Sequence, residues 1–193
     1  MGDKYIAWLS ELSKKDLSLA GGKGANLGEM FNTKFPVPQA FAITTDAFYF
    51  FIKEAKLEEK IKIILKQIDV DNTNELTEKA KEIRELIINS KIPQKLEDEI
   101  LEAYDHFNID LEELHNSPGA LAILKSAREP IFVSVRSSAT AEDLADASFA
   151  GQQSSFINVK GNSELIQKTK ECFASIFTAR SIFYRKKKNF EGL

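Results

Sequence analysis

The stretch Ile131–Val159, IFVSVRSSATAEDLADASFAGQQSSFINV, opens on a run of β-formers that ends in a basic residue, Arg136. A loop of small residues follows, Ser137-Ser138-Ala139-Thr140. Beyond it lie an acidic segment (Glu142, Asp143, Asp146), a turn at Gly151 and a second strand-like run. A strand that delivers a guanidinium to a loop dense in hydroxyls and backbone N–H groups suits the holding of phosphate, because guanidinium and phosphate match as fork and fork. The acidic trio offers itself as a metal site, but loop carboxylates that cap turns or pair with basic residues are the expected reading, so no metal ligand is assigned.

Upstream, Tyr5 to Leu9 reads as a short strand, and Gly21-Gly22-Lys23-Gly24 then breaks the chain. Ala25, Leu27, Met30 and Phe31 suggest a helix beyond the glycines that ends before Pro36. A glycine-rich turn feeding a helix N-terminus leaves N–H groups aimed outward as an anion site, and Lys23 adds a mobile charge there. The P-loop pattern does not fit: Leu17 stands where its first glycine belongs, and Gly24 follows the lysine where a Ser or Thr must reach the metal. After Pro36-Val37-Pro38, Ala40 to Thr44 reads as a buried strand, with Thr44 or Thr45 capping a helix that starts at Asp46.

From there to about residue 127 the chain turns helical and charged. Leu57, Ile61, Ile64, Leu65 and Ile68 form one apolar stripe. Leu76, Ala80, Ile83 and Ile87 form a second, and Leu96, Ile100, Ala103 and Phe107 a third. The stretch 46–127 thus reads as a helical bundle inserted between two β-containing parts. His106 and His115 lack partners at ligand spacing and are read as ordinary histidines. The closing segment, 163–188, is expected as one long amphipathic helix whose stripe runs Leu165, Thr169, Cys172, Phe173, Ile176, Phe183. Arg180 falls in the middle of that stripe; it is either paired and directed to a site or snorkels from the stripe edge. The run Arg185-Lys186-Lys187-Lys188 is expected to solvate the helix end and complement its dipole.

The 193 residues suffice for one domain with a substantial core. With 26 Lys+Arg against 29 Asp+Glu, the charge balance argues against a dedicated binder of nucleic acid or of a membrane surface. The single Cys172 excludes an intramolecular disulfide and a cysteine-built zinc site. No apolar run approaches the ~20 residues of a membrane span, and no secretory signal is evident, so a cytoplasmic location is expected.

Four segments, in order, carry a specific resemblance: SLAGGKGANLGEM, FPVPQAFAITTDAF, SVRSSATAEDLADASFAGQQSSFINV and ECFASIFTARSIFYR. Together they resemble the N-terminal nucleotide-binding region of the phosphoenolpyruvate synthases (pyruvate, water dikinases), over nearly the whole chain. The resemblance implies an α+β fold, an ATP-grasp-like N-terminal lobe with an inserted helical bundle and a long C-terminal helix. It implies ATP and Mg²⁺ as cofactors, cleavage of ATP to AMP and phosphate, and phosphoryl transfer by way of a histidine to pyruvate. Lys23 and Arg136 are then expected on the ATP phosphates, with Gly22, Gly24, Gly151 and Ser155 completing the nucleotide site and Arg136 also serving catalysis.

Ala40, Ala145 and Ser154 depart from the residues usual in that family, and Ser154 removes a carboxylate from its turn. The metal ligands, second lobe, phosphohistidine domain and pyruvate-binding barrel are expected outside this sequence, which reads as a fragment inactive alone. Two other readings stay open. Rifampicin phosphotransferases share much of the SVRSSATAEDL run, and a short natural protein of this fold is also able to act as an interaction module.

Overall fold

Short apolar runs bounded by turn residues become strands, and apolar stripes of period 3.6 become helices. The computed structural model describes residues 4–107, 129–140, 143–144, 147–148 and 154–188. Strand β1 (Ile6–Trp8) pairs antiparallel with β2 (Phe41–Ile43), setting Ile6 opposite Ile43 and Trp8 opposite Phe41. Ala7 is buried, whereas β2, expected as a buried strand, is only half-buried along its length. The Trp8 and Phe41 rings meet edge to face at 5.5 Å, and Phe41 stacks on Phe107 at 5.4 Å, which covers the outer side of this ladder.

Two 3₁₀ turns, Leu9–Glu11 and Lys14–Asp16, lead from β1 into α1 (Leu17–Asn32). Asp16 accepts from the Ser13 amide at 2.8 Å, so a carboxylate sits on the first free donors of the turn. Helix α1 begins before the glycine cluster rather than after it. Gly21 alone leaves helical geometry, so it breaks α1 into two pieces that continue across a kink. Farther along, Gly28 lets the helix lie on Leu12: an added Cβ would sit 2.5 Å from the Leu12 Cβ.

Thr44 ends β2 and caps α2 (Thr45–Glu54), its hydroxyl accepting from the Ala47 amide at 3.2 Å. Three helices follow, α3 (Glu58–Gln67), α4 (Thr73–Asn89) and α5 (Gln94–His106), each where a stripe predicts one. Asn72 caps α4 through the Glu75 amide, and Pro93 precedes the first residue of α5, a position where its missing N–H is harmless.

The second antiparallel ladder pairs β3 (Phe132–Arg136) with β6 (Ser155–Lys160). Two residues each of β4 (Asp143–Leu144) and β5 (Ala147–Ser148) form a third small ladder between them in sequence. The described elements are therefore α+β, with many helices around small antiparallel ladders. Among the described residues no helix is long and apolar enough to cross a membrane.

The segment 163–188 corrects an expectation. Instead of one long helix it forms α6 (Asn162–Ala174), a 3₁₀ turn (Ser175–Phe177) and α7 (Ala179–Lys187). Thr178 adopts extended backbone (φ −70°, ψ 152°), and its hydroxyl accepts from the Ser181 amide at 3.1 Å. A β-branched residue that caps a new helix restarts the helical phase. Arg180 consequently leaves the apolar stripe and is exposed, as the snorkelling alternative requires.

Of the two arginines on α7, Arg185 is the half-buried one; it donates to the Ile176 carbonyl at 2.8 Å and lies 5.2 Å over the Phe177 ring. Burial lowers its pKa from the ordinary arginine value. Its neighbours do more than solvate the helix end. Lys186 donates to the Ile68 carbonyl at 2.8 Å and Lys187 pairs with Asp71 at 2.7 Å, so the run binds the end of α7 to the turn between α3 and α4.

Among the described residues two buried apolar clusters form: a small one, Ala7, Leu9, Leu12 and Ala20, and a main core. In the main core, Phe51 and Ile52 of α2, Ile61 of α3, Ile83 and Ile87 of α4 and Ile100 of α5 join Val159 of β6, Leu165 of α6, Phe177 of the 3₁₀ turn and Ile182 of α7. The helices α3–α5 therefore share their core with β6, α6 and α7 and are not a bundle packed apart. Tyr104 fastens α5 to the second ladder: its hydroxyl donates to the Ile131 carbonyl and accepts from the Gly161 amide at 3.1 Å.

Two outcomes follow. Phe177→Ala empties the fully buried turn between α6 and α7 and is expected to lower unfolding stability by about 3–5 kcal/mol in urea titration. A loss under about 1 kcal/mol would contradict its place in the core. Cys172 is buried on α6, and desolvation pushes its thiol up to about 12 from an ordinary 9.0. At about pH 8 a thiol reagent should therefore label it only as fast as the protein unfolds, and stability should decline above the unfolded thiol's pKa as the unfolded state alone ionises.

Candidate functional site

Helix α1 and the loop after β3 are more than a hundred residues apart in sequence, yet they are bonded residue by residue. Gly21 sits at φ 68°, ψ 176°, a region essentially restricted to glycine. A Cβ there would lie 2.2 Å from the Ser138 carbonyl oxygen, so the missing side chain admits the loop. The Gly22 amide donates to the Ala139 carbonyl at 3.0 Å. The Lys23 ammonium donates to the Ser137 carbonyl at 3.0 Å. The Gly24 amide donates to the Ser138 hydroxyl at 3.0 Å, and that hydroxyl in turn donates to the Ala20 carbonyl at 2.6 Å.

These bonds correct one expectation about the glycine turn. Its N–H groups were read as aimed outward at an anion; those of Gly22 and Gly24 are instead taken by the Ser137–Thr140 loop. The positive charge at this point is carried by the Lys23 side chain. The sequence places Ser138 in a hydroxyl-rich loop but gives it no role of its own. Its two hydroxyl bonds reach 118 and 114 residues back along the chain, and no local pattern announces such a contact.

The other wall is the β3–β6 ladder. Residues alternate along β3, with Phe132, Ser134 and Arg136 exposed and Val133 and Val135 turned toward the core. Arg136 stands directly opposite Ser155, and the Ser137 amide extends the pairing to the Ser154 carbonyl at 3.1 Å. Directly opposed residues place their Cβ atoms about 4.5–5.5 Å apart on one face, so the guanidinium and the hydroxyl share a surface.

A bulge interrupts the register between Val133 and Val135, where β6 carries the additional residue. Asn158 on β6 takes φ 60°, a value that asparagine tolerates better than most residues. Ile157 and Phe132 extend the exposed face away from Arg136 as apolar surface, with Lys160 lying 5.0 Å over the Phe132 ring.

The site residues expected from sequence are thus distributed unevenly. Gly22, Lys23 and Gly24 meet the loop that begins one residue after Arg136, and Ser155 faces Arg136 across the ladder. Gly151 lies outside the described residues, as do Glu142 and Asp146 of the acidic trio and His115. His106 is exposed on α5, its ring 5.9 Å from that of Trp8. Among the described residues, no group of three or more His, Cys, Asp or Glu side chains is placed to hold a metal ion.

The kinked helix α1, its lysine and the strand bearing Arg136 thus meet at one loop, Ser137–Thr140. Residues 17–192 match the pyruvate phosphate dikinase AMP/ATP-binding domain, and the chain belongs to that family. Among its relatives, the probable phosphoenolpyruvate synthase of Methanocaldococcus jannaschii is 47% identical over 97% of this chain and 15% of its own length. The phosphoenolpyruvate synthase of Helicobacter pylori is 41% identical over 98% of this chain and 22% of its own. That of Pyrococcus furiosus is 37% identical over 99% of this chain and 26% of its own. The chain therefore spans between about a seventh and a quarter of the length of these relatives.

Gly21 gives the sharpest structural test of the site. Gly21→Ala should destabilise the protein by at least about 2 kcal/mol, because both the backbone conformation and the approach of Ser138 forbid a Cβ. An unchanged melting temperature would mean that α1 and the loop are not held together in this way.

Proposed function

We propose that this chain supplies one wall of the ATP site of a phosphoenolpyruvate synthase, the remaining wall and the acceptor chemistry lying elsewhere in a longer protein. The observation that carries the reading is the bond from Lys23 to the Ser137 carbonyl, which seats a mobile cation beside the residue that follows Arg136. The fit to a polyphosphate is one of donor chemistry. Arg136 is exposed and offers a planar fork, Lys23 offers a compact charge, and Ser155 adds a hydroxyl on the Arg136 face.

In this reading Lys23 and Arg136 hold the phosphates, and Arg136 also stabilises charge that develops as a phosphoryl group departs. Gly22 and Gly24 serve by fixing the loop through their amides. Gly151 is assigned to the phosphate turn by resemblance. Magnesium supplied with ATP would neutralise phosphate charge; the described residues do not form a metal site, and its ligands are proposed to lie outside this chain. The arrangement proposed is of the ATP-grasp type, with this chain as the N-terminal lobe.

The proposed overall reaction converts pyruvate, ATP and water to phosphoenolpyruvate, AMP and phosphate through a phosphohistidine on another part of the protein, in the cytoplasm. The names of the relatives support pyruvate as acceptor. This chain's own part is to bind and orient the phosphates; by itself it is expected to bind nucleotide without turnover.

Titration with Mg-ATP, followed by amide resonances, should shift Gly22–Gly24 and Arg136–Thr140 and leave α3 and α4 unmoved. Shifts confined to α3–α5 would sink the reading. In the complete protein, Arg136→Ala should reduce pyruvate-dependent AMP release on the order of a hundredfold or more. Normal turnover in that variant would remove Arg136 from the site.

A further inference from the structure

Ser138 has a place in the site that its sequence neighbours do not announce. The hydroxyl accepts from the Gly24 amide at 3.0 Å and donates to the Ala20 carbonyl at 2.6 Å. Those two groups belong to opposite sides of the Gly21 break: Ala20 closes the first turn of α1, and Gly24 lies in the first turn beyond the break. A single hydroxyl therefore satisfies a carbonyl orphaned at the end of one helical piece and an amide orphaned at the start of the next. It does so from a separate element, two residues after Arg136. The loop backbone on either side of it holds Lys23 (through Ser137) and Gly22 (through Ala139).

We infer that Ser138 is a positioning residue for the phosphate site: its hydroxyl pins the Gly21 break to the end of β3 and so fixes where the Lys23 ammonium stands relative to the Arg136 guanidinium. This rests on the ATP-site reading above. Lys23 reaches the loop through a long, rotatable stem, so its bond to Ser137 defines a position only while the backbone beneath both is held. The backbone bond from Gly22 keeps the loop near α1, and the Ser138 hydroxyl joins both sides of the break. Without it, the two helical pieces and the loop lose their shared point. Two cations then face a phosphate from a variable separation, and binding must order them at its own expense.

The test uses the complete natural protein and three variants, Ser138→Ala, Arg136→Ala and Thr44→Val, together with Lys23→Ala and the Lys23→Ala/Ser138→Ala pair. Thr44 is the structural control, because its buried hydroxyl also bridges two backbone groups, the Ala47 amide and the Lys4 carbonyl, away from this loop. Ser138→Ala should speed hydrogen exchange in a peptide spanning residues 20–25 and weaken Mg-ATP binding by about tenfold. Thr44→Val should lower the melting temperature at least as much without altering Mg-ATP affinity. The double variant should bind no more weakly than Lys23→Ala alone, since Ser138 acts through Lys23.

Arg136→Ala separates the two levels of the argument. If it weakens Mg-ATP binding while Ser138→Ala does not, the positioning role falls and the ATP site stands. If Arg136→Ala leaves binding intact, the ATP site falls and this inference with it. Equal affinity losses in Ser138→Ala and Thr44→Val, or fully additive losses in the double variant, would reduce Ser138 to a structural hydroxyl.

Discussion

The approach of α1 to the loop after β3 depends on residue 21 having no side chain. With any Cβ there, the Ser138 carbonyl would be met at 2.2 Å, and the backbone would have to leave φ 68°, ψ 176°. That single allowance sets up the rest: α1 breaks, its second piece starts at the loop, and amides from Gly22 and Gly24 find carbonyl and hydroxyl acceptors across the gap. Buried backbone donors must be paired, so the break and the loop contact stabilise each other. Neither persists without the other, and Lys23 is carried into place by both.

Behind this junction the helices act as a platform. Tyr104 ties α5 to the chain on both sides of the β3–β6 ladder, Val159 places β6 in the main core, and α6 follows directly from β6 through Gly161. The inward side of β3, Val133 and Val135, rests against that core, while its outward side keeps Arg136 in solvent. A two-stranded ladder is marginal alone. Packed on α6, it becomes a rigid mount for a guanidinium. The stiffness of the site thus derives from the helices packed behind it.

The helices were the most legible part of the sequence. The stripes Leu76–Ile87 and Leu96–Ala103 needed only a count of spacing, and α4 and α5 lie where they predict. The ladders β1–β2 and β3–β6 were legible as apolar runs between turn residues. What spacing did not reveal was phase. A stripe carried across Thr178 puts Arg180 in the core; the cap at Thr178 resets the helix, and Arg185 becomes the half-buried one of the two arginines on α7. At the site, the Gly22–Gly24 turn and the Arg136 loop were each recognisable. Their bonding was not, because contacts across 114 residues depend on the whole fold between them. The outward-facing amides expected from local rules were consumed by that contact.

The same contact bears on how a phosphate could be held at all. An anion site built only from helix N–H groups is fixed in place but weak, whereas one built from lysine and arginine side chains is strong but mobile. Here the amides of the glycine turn are spent on rigidity, and side chains supply the charge. The Lys23 ammonium donates to a neutral carbonyl, Ser137 O, and that bond ties it to the loop. Arg136 sits one residue away on a strand whose register with Ser155 is fixed by the ladder. Bringing two cations near each other is unfavourable, and the glycine–loop bonds and the core behind β3 offset it before any ligand arrives. A polyphosphate reaching this surface would then gain attraction to both charges with little further ordering, which is how preorganisation converts fold stability into affinity.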